Sequence, residues 1–202
     1  MFLSKNMEVK LPLVLGSSSV FRCGQLRRLG IDFQTASPDF DETPIAGEHA
    51  GETALRLAEG KARSLAATFP AALIIGADQV AWCERRQLGK PMNVANAQQM
   101  LADLSGKRIE FYSAIVLLNT ATDKVQHHVD HTVVAMRQLT QAQISRYLER
   151  EPDAVYCAGA AKSEGLGAAL LERIESTDPN ALIGLPIFRL IDFLKNEGVE
   201  VL

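Results

Sequence analysis

Apolar and polar positions alternate along the chain in blocks that predict an α/β protein. Short apolar runs, which are typical of buried strands, cover residues 11–16, 31–36 and 71–82. Residues 53–69 carry alanine and leucine at helical spacing, and Pro70 closes this predicted helix. Strands and helices that follow one another in this way are typical of α/β folds.

The second half of the chain departs from a strict strand–helix repeat. Residues 108–137 predict two antiparallel strands around the turn TATD. Asn93 and Thr140 are the N-caps of two further predicted helices, and a last helix covers 186–196. The pattern therefore predicts an α/β fold with one long antiparallel insertion.

Composition and charge exclude several classes of function. The net charge of the 202 residues is only −3, so no global basic field indicates binding to a nucleic acid. No run reaches the ~18 apolar residues of a membrane span, and residues 1–16 lack the long apolar segment of a signal peptide. Cys23, Cys83 and Cys157 show no C-x-x-C spacing, which disfavours a zinc site and favours a reducing, cytoplasmic location.

Candidate binding residues gather where predicted elements end. Ser17, Ser19 and Arg22 lie between the first strand and the first helix, where free N–H groups and the helix dipole favour an anion. For this segment alone, a serine N-cap with a solvated arginine is the simpler interpretation. Glu42 belongs to an acidic loop that suits a hard divalent cation, although a solvated acidic loop is the commoner case.

Asp78 is the strongest single signal. It interrupts the apolar run LIIGADQVAW, where a carboxylate must be paired, bind a metal or lie at the exposed end of the strand. Ligand sites in open α/β sheets lie at the carboxyl ends of strands. A general base or metal ligand fits this position, and so does a structural carboxylate that accepts hydrogen bonds from the backbone.

Two lysines and one loop give weaker signals. Lys61 lies on the helix predicted over 53–69, where an exposed lysine is common. Lys90 lies in the turn GKP and is well placed to bind phosphate, although a plain surface turn has the same pattern. The glycines of the loop that contains Glu164 allow close approach to a ligand, and they also suit a flexible surface loop.

Taken in order, these segments resemble the Maf family of nucleotide pyrophosphatases. The matching segments are LVLGSSSVFR, DFDET, the lysine of AEGKA, IIGADQV, LGKP, CAGAAKSEG and GLP. The resemblance implies a single domain over 1–202, with a mixed twisted sheet, flanking helices and two lobes around a deep cleft. It also implies hydrolysis of a nucleoside triphosphate to a monophosphate and pyrophosphate with a divalent metal cation, magnesium or manganese, in a homodimer.

The resemblance implies roles for individual residues. Asp78 is the proton acceptor that activates water, and Lys61 and Lys90 are catalytic cations. Glu42 and Asp78 hold the metal. The residues implied in substrate binding are Ser17, Ser19, Phe21, Arg22, Gln79 and Glu164.

The first family motif is altered in this chain. The first motif usually reads S-x-S-P-x-R-R, but here it reads SSSVFRC, so Cys23 replaces the second arginine.

The subgroup that cleaves dTTP and UTP usually carries arginine, threonine and glutamine where this chain has Phe21, Gln79 and Glu164. These three residues resemble the subgroup that acts on 7-methyl-GTP, whose cationic ring favours an aromatic face and a carboxylate. The Gln79 amide is expected both to donate to a purine edge and to accept from it.

Other functions stay open on the sequence. A nucleotide-binding regulator of cell division with little turnover is consistent with the loss of the arginine at position 23. A pyrophosphatase for dTTP, UTP or another altered nucleotide, such as a deaminated purine, uses the same core residues. The presence of Glu42, Lys61, Asp78 and Lys90 favours an enzyme.

Overall fold

The computed structural model describes residues 11–202, which form seven strands and five α-helices. The strands are β1 (Leu13–Gly16), β2 (Gln34–Ala36), β3 (Leu73–Cys83), β4 (Arg86–Leu88), β5 (Arg108–Asn119), β6 (Lys124–Met136) and β7 (Leu171–Glu175). The helices are α1 (Val20–Arg27), α2 (Ala50–Ser64), α3 (Val94–Leu104), α4 (Gln141–Arg150) and α5 (Ile187–Asn196). The first ten residues lie outside the described residues. The prediction that the N-terminal segment is not a signal peptide falls largely on them.

All seven strands belong to one mixed sheet, in the order β2-β1-β3-β5-β6-β7 with β4 paired to β3. β1 is parallel to β2 and β3, and the other pairs are antiparallel. The prediction of an α/β fold with a mixed sheet is confirmed, as is the hairpin around TATD. The two lobes around a deep cleft and the single domain over 1–202 stay predictions. None of the helices in residues 11–202 has the length and apolar character needed to cross a membrane.

The two faces of the sheet bury different helices. Leu73 and Ile75 of β3 pack in an apolar cluster with residues of α1 and α5. Ile74 and Val80, on the opposite face of the strand, pack with the alanines of α2. A third cluster joins α3 and α4 to the far end of β3 and β5. Successive side chains of β3 therefore alternate between the sheet face covered by α2 and the face covered by α1 and α5.

Helix α2 lies unusually close to β3. A Cβ atom at Gly76 would lie 2.1 Å from the Ala58 carbonyl oxygen, so only glycine fits at this point of the strand. Ala54, Ala58 and Ala62 are fully buried on the helix face that contacts the sheet. The close approach places Lys61, in the last turn of α2, next to the β3 backbone.

One predicted helix has different bounds in the structure, and two strands were not predicted. Helix α2 covers Ala50–Ser64 instead of 53–69, because the His49 N–H donates to the Glu52 carboxylate and starts the helix earlier. It ends at Ser64, where the N–H of Leu65 donates to the Ala62 carbonyl and tightens the last turn. Strands β4 and β7 were missed, because β4 has only three residues and β7 is mostly exposed.

The partners of β3 leave a gap at one edge of this strand. β1 pairs with Leu73–Gly76, β4 pairs with Ala81–Cys83, and β5 covers the opposite edge from residue 73 to residue 82. Residues 77–80 therefore have no strand beside them at this edge within the described part of the chain. Asp78 and Gln79 occupy the gap, next to the end of β1.

Candidate active site

A cavity of about 540 Å³ lies at the gap in the β3 edge. It is lined by the end of β1, by Asp78 and Gln79, and by Leu88 of β4. The cavity brings together every residue that the sequence singles out for catalysis, metal binding or substrate binding. These are Ser17, Ser19, Phe21, Arg22, Glu42, Lys61, Asp78, Gln79, Lys90 and Glu164. Their roles stay predictions, but their placement in one cavity is a property of the fold.

The Lys61 ammonium lies between two carboxylates. Its Nζ is 2.6 Å from Asp78 Oδ1 and 2.9 Å from Glu42 Oε1. Lys61 and Asp78 are buried, whereas 59% of the Glu42 side chain is exposed. In the described residues, the Asp78 side chain accepts its hydrogen bond from Lys61 and none from a backbone N–H. This favours the paired, functional interpretation of Asp78 over a backbone-capping role.

Arg22 faces the same cavity from the first turn of α1. The turn is fixed by the Arg22 N–H, which donates to the Ser19 hydroxyl (3.4 Å), and by the Ser19 N–H, which donates to the Ser17 hydroxyl (3.1 Å). The Arg22 Nε donates to the Gly184 carbonyl (3.1 Å). Burial lowers the pKa of Arg22, and the charges of Asp78 and Glu42 oppose this shift. An arginine stays protonated at neutral pH after such a shift, so the guanidinium is a fixed cation.

Lys90 is an exposed residue of the cavity lining, and its turn is held in place. The Met92 N–H donates to the Val155 carbonyl (2.9 Å), and the Asn96 side-chain amide donates to the Pro91 carbonyl (3.0 Å). These bonds fix the backbone on the C-terminal side of Lys90. The ammonium itself makes no ion pair within residues 11–202, so it can meet an incoming phosphate.

The loop that carries Glu164 is held by Glu151. The Glu151 carboxylate pairs with the Lys162 ammonium (2.9 Å) and accepts the Leu166 N–H (3.1 Å). A Cβ atom at Gly167 would lie 2.4 Å from the Lys162 carbonyl oxygen. This glycine therefore serves the packing of the loop itself, whereas the sequence suggested approach to a ligand or a flexible loop. Glu164 projects from a fixed loop and is exposed at the cavity.

The Gln79 side chain is oriented differently from the sequence expectation. Its Nε2 lies 2.9 Å from the Ser113 hydroxyl, 3.0 Å from the Ala181 carbonyl and 3.1 Å from the Leu182 carbonyl. These acceptors use both amide hydrogens. This disfavours donation from the amide to a purine edge, and the role of Gln79 in substrate binding stays a prediction. Sequence reasoning missed Ser113, which gives no signal of its own in an apolar strand.

Similarity to known proteins decides the family. The sequence profile described as Maf-like protein matches residues 12–197. The chain belongs to the Maf family. The 7-methyl-GTP pyrophosphatase of Neisseria gonorrhoeae is 74% identical over 196 residues, which cover 97% of this chain and 100% of that relative. Proteins of the same name from Chromobacterium violaceum and Nitrosospira multiformis are 55% and 48% identical, over 94% and 98% of this chain and 98% and 99% of their own lengths.

The cysteine that departs from the Maf motif lies outside the cavity lining. Cys23 packs against the apolar cluster that α1 covers, whereas Arg22 lines the cavity. Cys23 also lines a smaller cavity together with Ser17 and Ser19, so the position of the lost motif arginine lies next to two predicted substrate-binding residues. Cys157 does line the cavity, but burial raises its pKa to about 11. It is a neutral thiol at neutral pH and a poor nucleophile.

Phe40 anchors the acidic Maf motif DFDET to α2. A Cβ atom at Gly60 would lie 2.2 Å from the Phe40 ring, so the ring occupies the space over this glycine. Asp41 accepts hydrogen bonds from the Thr43 N–H (2.9 Å) and hydroxyl (2.6 Å), and these bonds lower its pKa. Asp41 therefore shapes the turn, and Glu42 reaches Lys61. No pattern in the sequence indicates the Phe40–Gly60 contact.

We expect the substitution Gly60→Ala to lower kcat/KM roughly 10-fold or more, because it displaces Phe40 and hence Glu42. A misplacement of about 1 Å can cost about 100-fold in rate. Steady-state kinetics and thermal unfolding would measure the effect. Gly24→Ala is the matched control, because Gly24 lies in helix α1 with no atom within 4 Å of the added Cβ. Equal activity of the two variants would show that the Phe40 contact does not position Glu42.

Proposed function

We propose that this chain hydrolyses a nucleoside triphosphate between its α- and β-phosphates, to a monophosphate and pyrophosphate, with 7-methyl-GTP as its preferred substrate. The single observation that carries the reaction is the common cavity of one buried carboxylate, Asp78, and three cations, Arg22, Lys61 and Lys90. The near full-length relatives named 7-methyl-GTP pyrophosphatase support the substrate.

In the proposed reaction, Asp78 takes a proton from the water that attacks the α-phosphorus. The new bond joins the water oxygen to the α-phosphorus, and the bond to the oxygen that bridges the α- and β-phosphates breaks, so pyrophosphate leaves. Lys61, 2.6 Å from Asp78, orients the carboxylate. Lys61 and Lys90 offset the negative charge that develops at phosphorus in the transition state, and Arg22 binds the negatively charged triphosphate.

Glu42 and Asp78 are the residues that would hold a divalent metal. No group of three or more His, Cys, Asp or Glu side chains in residues 11–202 could bind one alone. Magnesium in nucleotide enzymes is usually held by one or two carboxylates together with substrate phosphates. These two carboxylates fit a magnesium or manganese ion that binds with the triphosphate. When bound, the ion supplies positive charge to the phosphate oxygens.

Base recognition is assigned to Phe21 and Glu164, which line the same cavity. The ring of 7-methylguanine is cationic, so the Phe21 face can attract it by about 0.5–2 kcal/mol. An ionised Glu164 carboxylate accepts hydrogen bonds only, which suits the adjacent N1–H and N2–H donors of guanine. A pyrimidine lacks both features, and GTP lacks the cationic ring.

We expect Glu164→Gln to lower the kcat/KM ratio of 7-methyl-GTP to GTP by about 10-fold, or ~1.4 kcal/mol. The substitution removes the charge that attracts the methylated ring and replaces one acceptor with a donor. Pyrophosphate release from both nucleotides would measure the ratio. Glu149→Gln, an exposed residue of α4 that does not line the cavity, is the matched control. An unchanged ratio would assign the base preference to other residues.

Location and assembly follow from the same proposal. A nucleotide substrate and three free cysteines suit the reducing cytoplasm. The family resemblance implies a homodimer, which light scattering of the purified chain would measure as twice the 22.0 kDa of one chain.

A further inference from the structure

A row of polar residues crosses three strands, and the proposed chemistry leaves most of it unexplained. Gln79 of β3 is directly opposite Ser113 of β5, which is directly opposite Asp130 of β6. We call these three residues the polar row. Ser113 and Asp130 are 0% and 2% exposed. Burial of such groups is unfavourable unless they form hydrogen bonds, so their partners indicate what the row is for.

The polar row binds one segment, residues 176–184, which connects β7 to α5. The Ser113 hydroxyl donates to the Ala181 carbonyl (2.8 Å), to which the Gln79 amide also donates (3.0 Å). Asp130 Oδ2 accepts the Thr177 hydroxyl (2.6 Å). We call residues 176–184 the tether segment. Side-chain hydrogen bonds from three neighbouring strands therefore attach this segment to the sheet.

The same segment is folded onto the start of α5. Asp178 is 3% exposed, and its Oδ1 accepts the Asn180 N–H (2.9 Å) while its Oδ2 accepts the Phe188 N–H (2.8 Å). The Gln25 amide of α1 donates to the Asn180 carbonyl (2.8 Å). The tether segment thus joins the sheet, α5 and α1.

The tether segment ends on Arg22. The Gly184 carbonyl accepts the Arg22 Nε at 3.1 Å, and Gly184 has a φ of 137°, a region that favours glycine. Leu182 and Ile183 line the cavity beside it. The Gly184 carbonyl, which accepts the hydrogen bond from Arg22, therefore belongs to a segment whose position is fixed by Gln79 and Ser113 on the sheet.

We propose that Ser113 is a positioning residue that acts, through the tether segment, on Arg22. This rests on the proposed function, in which Arg22 binds the triphosphate. An arginine side chain has about 2 kcal/mol of rotamer entropy, and an anchored guanidinium loses less of it when phosphate binds. Loss of the anchor weakens nucleotide binding, while Asp78 and Lys61 on the other face of β3 keep their geometry.

The test is a double-mutant cycle of Ser113→Ala with Arg22→Ala, read as KM and kcat for 7-methyl-GTP and GTP. Ser113→Ala raises KM about 10-fold for both nucleotides, since the phosphates are common to them, and changes kcat less than about 3-fold. In the Arg22→Ala background, Ser113→Ala has no further effect on KM, because the two residues act as one unit. A further 10-fold rise in that background would overturn the proposal.

Two more variants separate positioning from a general loss of stability. Thr177→Val removes the hydroxyl that binds Asp130 at the other end of the tether segment, and it raises KM as Ser113→Ala does. Thr120→Val is the matched control, because its hydroxyl donates to the Phe69 carbonyl (2.6 Å) away from the cavity. A rise in KM in Thr120→Val equal to that in Ser113→Ala would contradict a specific role.

Amide hydrogen exchange of Ala181–Gly184 gives a readout that does not depend on turnover. Exchange at these amides accelerates in Ser113→Ala and stays at the wild-type rate in Thr120→Val. Unchanged exchange in Ser113→Ala overturns the positioning role even if the enzyme is active. Faster exchange in Ser113→Ala would show that Ser113 fixes the tether segment. If KM is nevertheless unchanged in Arg22→Ala, Arg22 does not bind the triphosphate, and its role in the proposed function is contradicted.

Discussion

Replacement of Asp78 with asparagine is expected to lower kcat by about 10²- to 10⁴-fold, the range that a positioned general base contributes. Asparagine has the shape of aspartate and can still accept a hydrogen bond from Lys61, but it cannot take a proton from water. At saturating magnesium, KM is expected to change little, because the side chains of Arg22, Lys61 and Lys90 stay in place. Steady-state kinetics with 7-methyl-GTP and thermal unfolding of the same preparations measure both properties.

Asp123→Asn is the matched control for Asp78→Asn. Asp123 lies in the turn between β5 and β6, where its exposed carboxylate pairs with Arg63 at 3.0 Å. This variant should keep the wild-type kcat. If Asp78→Asn turns over within about 3-fold of the wild type, Asp78 is not the base. Intact activity with a large loss of thermal stability would make Asp78 a structural residue.

Replacement of Lys61 with methionine is expected to lower kcat by about 10²- to 10³-fold, the usual effect of removing one group that stabilises transition-state charge. Methionine keeps the length and the apolar contacts of the side chain but removes the ammonium. Manganese should bind the free variant more tightly than the free wild type, because Glu42 and Asp78 no longer share a cation. Electron paramagnetic resonance measures this binding without turnover.

A lower kcat together with a higher manganese affinity would indicate a catalytic Lys61, because loss of a structural residue would not raise manganese affinity. Lys124→Met is the control, because Lys124 pairs with the largely buried Glu197 carboxylate at 2.7 Å outside the cavity. This variant should change neither kcat nor manganese affinity. A Lys61→Met variant with a kcat close to the wild type and no gain in manganese affinity would contradict the charge arrangement proposed for the site.

Local signals in the sequence predicted much of the fold and the most unusual residue of the site. The Asn93 and Thr140 side chains cap their helices as predicted, so α3 and α4 begin at Val94 and Gln141. Asp78 is visible in the sequence because a carboxylate interrupts an apolar strand. These features depend on a few neighbouring residues, so a single sequence contains them.

Features that depend on distant pairs could not be predicted in the same way. The gap at the β3 edge exists because β1 ends at Gly16 and the three-residue β4 begins pairing only at Ala81. No periodicity in the sequence marks either limit. Phe21 and Glu164 were selected by family resemblance, since their meeting in one cavity requires the whole sheet.

The pairing of Ser113 with Asp130 was not predicted, although the predicted hairpin implies it. The turn TATD, predicted correctly, places Ser113 opposite Asp130 in the β5–β6 pair. Two polar residues opposite each other in a buried hairpin indicate partners elsewhere in the fold. The tether segment, which supplies them, lies more than 40 residues further along the chain, so only the structure could identify it.

Hydrolysis by the wild-type chain, measured across 7-methyl-GTP, GTP, dTTP and UTP with magnesium or manganese, tests the central claim most directly. We expect equal amounts of 7-methyl-GMP and pyrophosphate, the highest kcat/KM for 7-methyl-GTP, a value about 10-fold or more lower for GTP, and poor cleavage of dTTP and UTP. Equal or better cleavage of dTTP or UTP would contradict the substrate assignment. No release of pyrophosphate from any of the four nucleotides would contradict the enzymatic function itself and favour a nucleotide-binding regulator.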